Sequence, residues 1–189
     1  IVAAVEQGRI MYRNIKKIVL YLLSSSFAEV VMITASILAG FPVAALPAQI
    51  LWVNILQDSF PTMALAFDGS DTDTMQDTPR KKDEQLIDRD MKIMILLKSI
   101  VSNIALFAIF VYIFKTTQDI ALARTMVFVG FAVDALFYIF SIRNLRQWVW
   151  QFNPFSNRYL VAAVAFGWCM LVGAVYAAPL QLVLKTVPL

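Results

Sequence analysis

The chain has 189 residues, of which 60% are hydrophobic and only 15% are charged, and its formal net charge is +3. A soluble domain is about 45–50% apolar and about 25% charged, so the composition predicts a membrane protein and excludes an ordinary soluble enzyme. Histidine is absent, which excludes histidine metal sites and histidine general bases. The chain opens with Ile1 rather than Met, so we expect a piece of a longer protein.

Five segments have about the 20 mostly apolar residues that a helix needs to cross a bilayer. In chain order, the predicted spans cover residues 18–39, 46–67, 93–114, 125–142 and 159–177. The sequence therefore predicts an all-α membrane protein, a bundle of about five transmembrane helices. We expect its second helix to be interrupted near a proline, Pro61.

Polar joints and basic residues predict the orientation of these spans. Residues 68–90 are too polar for lipid, and residues 143–158 are basic and contain Trp148 and Trp150, which is typical of a membrane interface. Thirteen of the 16 Lys and Arg residues fall on the side of the N-terminus. The positive-inside rule therefore predicts a cytoplasmic N-terminus and, after five spans, an extracytoplasmic C-terminus. The basic run PRKK (79–82) is interpreted as a solvated loop facing lipid, so we expect the bilayer as a partner and no nucleic acid.

Three acidic residues lie near the middle of predicted spans: Glu29, Asp58 and Asp134. An ionisable group at this depth costs from about 2.5 to more than about 10 kcal/mol, which makes each one a functional candidate. Asn54 lies four residues before Asp58, and Ser26 lies three residues before Glu29, so each pair shares a helix face. Carboxylate, amide and hydroxyl oxygens are the ligands that hard cations such as calcium prefer. The pattern therefore favours a cation site inside the membrane.

Pro61 strengthens this interpretation. It removes a backbone donor and clashes with the carbonyl four residues back, that of Gln57. We expect the second span to lose regular hydrogen bonding at residues 57–61, while the first span stays continuous through Glu29. Carbonyls freed beside Asp58 would be available to an ion, as in transporters with broken helices.

Packing roles are the alternative interpretation of the same residues. A buried aspartate can be a neutral, hydrogen-bonded packing residue, a proline can be an ordinary kink, and the serines at 24–26 can form a small-residue helix contact. Asp134 has the least support, since its sequence neighbours supply no side-chain oxygen. Lys98 is near the cytoplasmic end of its span and is interpreted as an anchor that reaches the interface.

Three stretches resemble P-type cation-transporting ATPases. AVEQGRIMYRNIKKIVLYLLSSSFAEVV (4–31) resembles the segment that leaves the phosphorylation domain and becomes the fifth transmembrane helix. PAQILWVNILQDSFPTMALAFD (47–68) is similar to the sixth helix, where the calcium-pump branch has a WVN…D pattern, and YAAPLQLVLKTVPL (176–189) to the loop between helices nine and ten. The resemblance covers the whole chain. It implies that residues 1–189 are the C-terminal membrane domain, truncated at both ends, with helices five to nine.

The resemblance also implies ion ligands. Glu29 matches the carboxylate of the fifth helix, and Asn54 and Asp58 match the amide and carboxylate of the sixth. Ser26 stands where the two-calcium branch has Asn, and Gln57 stands where it has Thr.

In the eighth helix, Ala135 falls at the carboxylate position and Asp134 one residue earlier. A helix turns by about 100° per residue, so two orientations of Asp134 stay open, toward the ion site or away from it. The full set of predicted metal ligands is Glu29, Asn54, Asp58, Gln57, Ser26 and Asp134.

The sequence thus predicts the membrane domain of an ATP-driven pump, a cation-transporting ATPase with calcium as the transported ion. The resemblance implies that Mg-ATP binds in cytoplasmic domains outside this chain, which partner it together with helices one to four and ten. The chain contains no P-loop and no DKTGT motif, so no catalytic residues are predicted. A secondary ion-coupled transporter is the alternative, although the inverted repeat typical of that class is not seen. A P-type pump for manganese or sodium is another. The short outer joint at 115–121 favours a prokaryotic plasma membrane.

Overall fold

The structure is a computed structural model that describes residues 2–69, 86–144, 153 and 155–189, apart from the side chains of residues 56 and 57. Most of the predicted joint at 68–90, with its PRKK run, lies outside the described residues. So do Trp148 and Trp150 and the side chain of Gln57, for which the predictions stand untested.

All regular secondary structure in the described residues is helical. The elements are α1 (Val2–Leu38), α2 (Pro47–Trp52), a π-helical segment (Val53–Asp58), α3 (Ser59–Ala66), α4 (Arg89–Thr117), α5 (Ile120–Ile142), α6 (Arg158–Tyr176) and α7 (Ala178–Leu184). Among them, α1, α4, α5 and α6 are long and apolar enough to cross a membrane. The prediction of an all-α membrane bundle is therefore confirmed.

The second predicted span is a composite of α2, the π-helical segment and α3, which follow one another without a gap from residue 47 to residue 66. An interruption is present as predicted, but it begins earlier in the chain than expected. Regular α-helical bonding is lost over Val53–Asp58, whereas Pro61 is the third residue of α3. Because α3 continues from the π-helical segment, Pro61 removes an N–H that would bond to the preceding turn, and in a regular α-helix its ring would clash with the carbonyl of Gln57. The wide turn therefore precedes the proline.

Helix α1 is continuous through Glu29, as predicted, and is much longer than the predicted span at 18–39. Its 37 residues correspond to about 55 Å at 1.5 Å per residue, against about 30 Å for the hydrocarbon core of a bilayer. It packs against α3, α4 and α5. Leu20 and Tyr21 of α1 lie in one buried cluster with Leu136 and Ile139 of α5. This single helix thus contacts most of the elements that carry the predicted site.

The N-terminal half of α1 is tied to the broken helix through Asp68, which is only 3% exposed. Arg143 Nε lies 3.2 Å from Oδ2 and 3.3 Å from Oδ1 of Asp68. Asn157 Nδ2 donates to Oδ1 over 2.9 Å, and Lys17 Nζ lies 3.8 Å from Oδ2. Asn14 of α1 donates to the Asp68 carbonyl over 2.9 Å. These five residues, the Asp68 cluster, join α1 and the ends of α3, α5 and α6.

A second tie lies at the start of α4. Asp88 is the N-cap of this helix, and its Oδ1 accepts a hydrogen bond from the N–H of Met91 over 2.8 Å. Its Oδ2 accepts from Lys16 of α1. The hydrogen bond from Lys16, followed by the one from the Met91 backbone, lowers the pKa of Asp88. The interaction fixes the beginning of α4 beside α1.

We expect Asp88→Ala to lower the free energy of unfolding by about 1 kcal/mol, because the first turn of α4 loses its cap. Asp88→Asn keeps a good cap and should retain most of this stability.

Because the folded-state pKa of Asp88 is depressed, its charge stabilises the protein above about pH 4, and this contribution is lost as the pH falls through the folded pKa. Thermal unfolding in detergent measures these effects. Equal unfolding curves for Asp88→Ala and the wild type would contradict the capping role.

We expect Arg143→Met to lower the free energy of unfolding by about 3–5 kcal/mol, because it removes the guanidinium that faces a buried carboxylate. The double variant Asp68→Asn/Arg143→Met should be more stable than Arg143→Met alone, since no buried carboxylate is then left without its guanidinium. Thermal unfolding in detergent is again the measurement. Arg124→Met is the matched control, as Arg124 donates only to the exposed carbonyl of Val43. A double variant less stable than Arg143→Met alone would contradict this account.

Candidate ion-binding site

Glu29 and Asn54 are brought together by α1 and the π-helical segment. Glu29 lies on the packed face of α1 with Tyr21 and Ser25, which precede it by eight and four residues. Spacings of four residues keep side chains on one face of an α-helix. Glu29 is 8% exposed, and Asn54 Nδ2 donates to its Oε2 over 3.2 Å. The side chains of Asn54 and Glu29, both predicted as ion ligands, are therefore in direct contact.

Among the predicted ligands whose side chains the structure describes, Asp58 is the most deeply buried, at 1% exposed. The hydroxyl of Tyr21 donates to Asp58 Oδ1 over 3.0 Å and also lies 3.3 Å from the carbonyl oxygen of Ala135. Asp58 Oδ2 is buried and has no hydrogen-bond partner among the described residues. A buried acceptor without a partner costs about 1–3 kcal/mol, so it marks a position where a ligand would bring a compensating interaction.

The π-helical segment carries both Asn54 and Asp58. Isolated π turns are uncommon and often lie at functional sites. The hydroxyl of Ser59 donates to the carbonyl of Asn54 over 3.0 Å, five residues back. The hydroxyl of Thr62 donates to the carbonyl of Asp58 over 2.8 Å. Side chains of α3 thus satisfy carbonyls of the wide turn, and Asn54 and Asp58 both reach residues of α1.

Asp134 has a different environment. Its Oδ2 lies 2.7 Å from Lys98 Nζ, and its Oδ1 accepts from the hydroxyl of Ser102 over 3.1 Å. The ammonium of Lys98 also lies 4.7 Å from the centroid of the Tyr138 ring. Lys98 was predicted to reach the membrane interface, but it pairs with Asp134 instead. Its side chain, 11% exposed, turns inward because α4 places it against the face of α5 that carries Asp134.

The described residues contain no group of three or more acidic, histidine or cysteine side chains that could hold a metal ion. A hydrogen bond joins Glu29 to Asn54, and Asp58 shares the π-helical segment with Asn54, whereas Asp134 is paired with Lys98. Ser26 is exposed. The structure thus groups Glu29, Asn54 and Asp58, and leaves Ser26 and Asp134 outside this group.

Tyr21 is the residue of the site that sequence reasoning missed. Its spacing of eight residues from Glu29 places it on the face of α1 that carries the carboxylate, and that spacing was the available signal. Its ring also stacks on Tyr138, with centroids 6.0 Å apart. Tyr21 thereby joins α1, the π-helical segment and α5 at one point.

Comparisons with known proteins find a matching family and several similar proteins. The family model described as "Cation transporting ATPase, C-terminus" matches residues 42–189. The chain is 31% identical to the calcium-transporting ATPase of Bacillus subtilis over 98% of its own length and 21% of the relative's. It is 32% identical to calcium-transporting ATPase 1 of Bacillus cereus over 95% of the chain and 22% of the relative.

A third relative is the cation-transporting ATPase pma1 of Synechocystis, 34% identical over 77% of the chain and 16% of the relative. The chain therefore spans about a fifth of the length of the first two relatives. The extent of the family match, together with a helical bundle that buries carboxylates, confirms the resemblance found in the sequence. The chain belongs to the cation-transporting ATPase family and matches its C-terminal part.

Proposed function

We propose that this chain is the C-terminal membrane domain of an ATP-driven pump that transports calcium. The observation that carries the proposal is Asp58, a buried carboxylate beside the Glu29–Asn54 pair with one oxygen that has no hydrogen-bond partner among the described residues. The names of the two Bacillus relatives support calcium as the ion. Oxygen ligands of this kind suit a hard divalent cation.

Glu29 and Asp58 are the proposed charged ligands, and Asn54 and Gln57 are the proposed neutral ones. Asn54 donates its amide nitrogen to Glu29, which orients its carbonyl oxygen as a further ligand. Ser26 lies on the exposed side of α1, where a helix from the rest of the pump would cover it. The wide turn at Val53–Asp58 would allow backbone carbonyls to add to this set.

In the proposed pump, Mg-ATP phosphorylates an aspartate in a cytoplasmic domain outside this chain, which forms a covalent intermediate. Helix α1 is the proposed link between that domain and the ion site. Its cytoplasmic part holds the ends of α3 and α4 through Asn14 and Lys16, and its middle part holds the π-helical segment through Tyr21 and Glu29. A displacement of α1 would thus change the ligands of the ion.

The similarity of this chain to named ATPases favours transport driven by phosphorylation over secondary transport. Both Bacillus relatives and the Synechocystis relative are named ATPases. Manganese and sodium remain alternative ions, since the Synechocystis relative is named only for cation transport. Measuring phosphorylation with each ion in turn distinguishes these cases.

In the full-length protein, we expect Asp58→Asn to abolish calcium-dependent phosphorylation by ATP, because it removes the buried charge that faces the ion. The amide keeps an oxygen for the hydroxyl of Tyr21, so the fold should be retained. The measurement is phosphoenzyme formed from labelled ATP as a function of calcium concentration, in membrane vesicles.

The matched control is Asp119→Asn, which changes an exposed aspartate that caps α5. Asparagine is an equally good cap, so this variant should form phosphoenzyme like the wild type. Full activity of Asp58→Asn would contradict the proposed site, and a wild type that forms no ion-dependent phosphoenzyme would contradict the proposed function.

We also propose that the N-terminus is cytoplasmic, because three crossings separate the exposed residues Glu6 and Thr117 and basic residues flank the first of them. Single cysteines at these positions, in a Cys169→Ser background, should react with a membrane-impermeant reagent from opposite sides. Thr117→Cys should be labelled in intact cells and Glu6→Cys only after permeabilisation. Labelling of both from the same side would contradict this topology.

A further inference from the structure

Lys98 places a positive charge inside the bundle. Its ammonium contacts Asp134 at 2.7 Å and lies 4.7 Å from the Tyr138 ring centroid. It starts from α4, one residue before Ser99, whose hydroxyl donates to the carbonyl of Ser24 in α1. It therefore lies where α1, α4 and α5 meet. A lysine near the end of a span can extend its ammonium to the membrane interface. Lys98 pairs with the carboxylate of Asp134 instead.

The contact with Lys98 makes Asp134 less available to a transported ion. Its two oxygens already have partners, the ammonium of Lys98 and the hydroxyl of Ser102. A transported ion would have to displace the ammonium in order to bind Asp134. By contrast, Asp58 Oδ2 has no hydrogen-bond partner among the described residues. The two aspartates thus differ in their readiness to bind an ion.

The charge of Lys98 also reaches the proposed ion site. It is close enough to act electrostatically on both Glu29 and Asp58. Tyr138, beneath the ammonium, stacks on Tyr21, which donates to Asp58. When all are ionised, the carboxylates of Glu29, Asp58 and Asp134 carry three negative charges and Lys98 carries one positive charge. The net charge of −2 is balanced by one divalent cation.

We propose that Lys98 is a tethered cation, which holds Asp134 out of the ion site and sets a charge at which Glu29 and Asp58 bind a single divalent ion. The ammonium takes the place that a second transported ion would need beside Asp134. This inference rests on the proposed function, since it names what limits the number of ions bound at the same site.

The test uses three variants of the full-length protein: Lys98→Met, Asp134→Asn, and the two combined. Asp134→Asn leaves the ammonium unpaired near Glu29 and Asp58, so the calcium concentration for half-maximal phosphorylation should rise by about tenfold or more. Lys98→Met removes the positive charge, so this concentration should stay equal or fall. The double variant restores the net charge, and its value should return to within about threefold of the wild type.

Calcium bound per phosphorylation site, measured with radioactive calcium in detergent, should be one in the wild type. Lys92→Met is the matched control, because Lys92 is an exposed lysine on the same helix, and it should change neither quantity. Protein yield and elution in gel filtration identify variants that fail to fold, and the double variant tests the charge balance if a single variant fails.

A double variant as impaired as Asp134→Asn would make Asp134 an ion ligand and overturn the inference. Unchanged calcium dependence in all three variants would make the pair purely structural and would also overturn it, as would two calcium ions per site in the wild type. Each of these outcomes requires an active wild type. A wild type without calcium-dependent phosphoenzyme contradicts the proposed function instead, so the two failures are distinguishable.

Discussion

The hydrocarbon core of a membrane offers no water to a polar group, and this constraint governs how the bundle is built. A charged or hydrogen-bonding group in it must find its partner in the protein or accept a large cost. Asp58 meets the constraint only in part. Tyr21 satisfies one of its oxygens, and the other has no partner among the described residues. This contact joins α1, which carries Tyr21, to the π-helical segment, which carries Asp58.

Four carboxylates in the described residues find four different partners; Glu29, Asp58 and Asp68 are buried, and the Asp134 side chain is 28% exposed. Asp68 faces a guanidinium, Asp134 an ammonium, Glu29 an amide and Asp58 a phenol. The first two partners bring a positive charge and the last two do not. A cation adds little to a carboxylate that is already neutralised, whereas it compensates one that is not. Asp68 and Asp134 are thus paired with a cationic side chain, whereas the two proposed ion ligands, Glu29 and Asp58, have neutral partners.

Much of the architecture could be predicted from local sequence, because span length and the cost of a buried charge depend on few residues at a time. Glu29, Asn54 and Asp58 were identified from their types and spacings, and the structure brings them together. The pairing of Lys98 with Asp134 could not be predicted, because it depends on how α4 and α5 are rotated about their axes. Successive residues of a helix point in directions that differ by about 100°. A shift of one residue therefore decides whether a side chain faces the ion site or a neighbouring helix.

The boundaries were harder to predict for a related reason. Polar residues at the start of α1 gave no signal of a span, yet Asn14 and Lys16 bind residues far along the chain and make the helix continue into the polar region. The interruption was predicted at residues 57–61, because Pro61 is the strongest local signal. It lies at Val53–Asp58, where the wide turn accommodates the hydrogen bond that Pro61 cannot make.

Helix α1 contacts the broken helix both at its C-terminal end and within its wide turn. At the end of α3, Asn14 holds the carbonyls of Ala66 and Asp68. Within the wide turn, Tyr21 holds Asp58 and Glu29 holds Asn54. Because α1 is one uninterrupted helix, these contacts move together. In the wide turn, hydrogen bonds already depart from the α pattern, so the broken helix can change shape there at lower cost than a regular helix. Strain applied through α1 would therefore concentrate at Val53–Asp58, the segment that carries the proposed ligands.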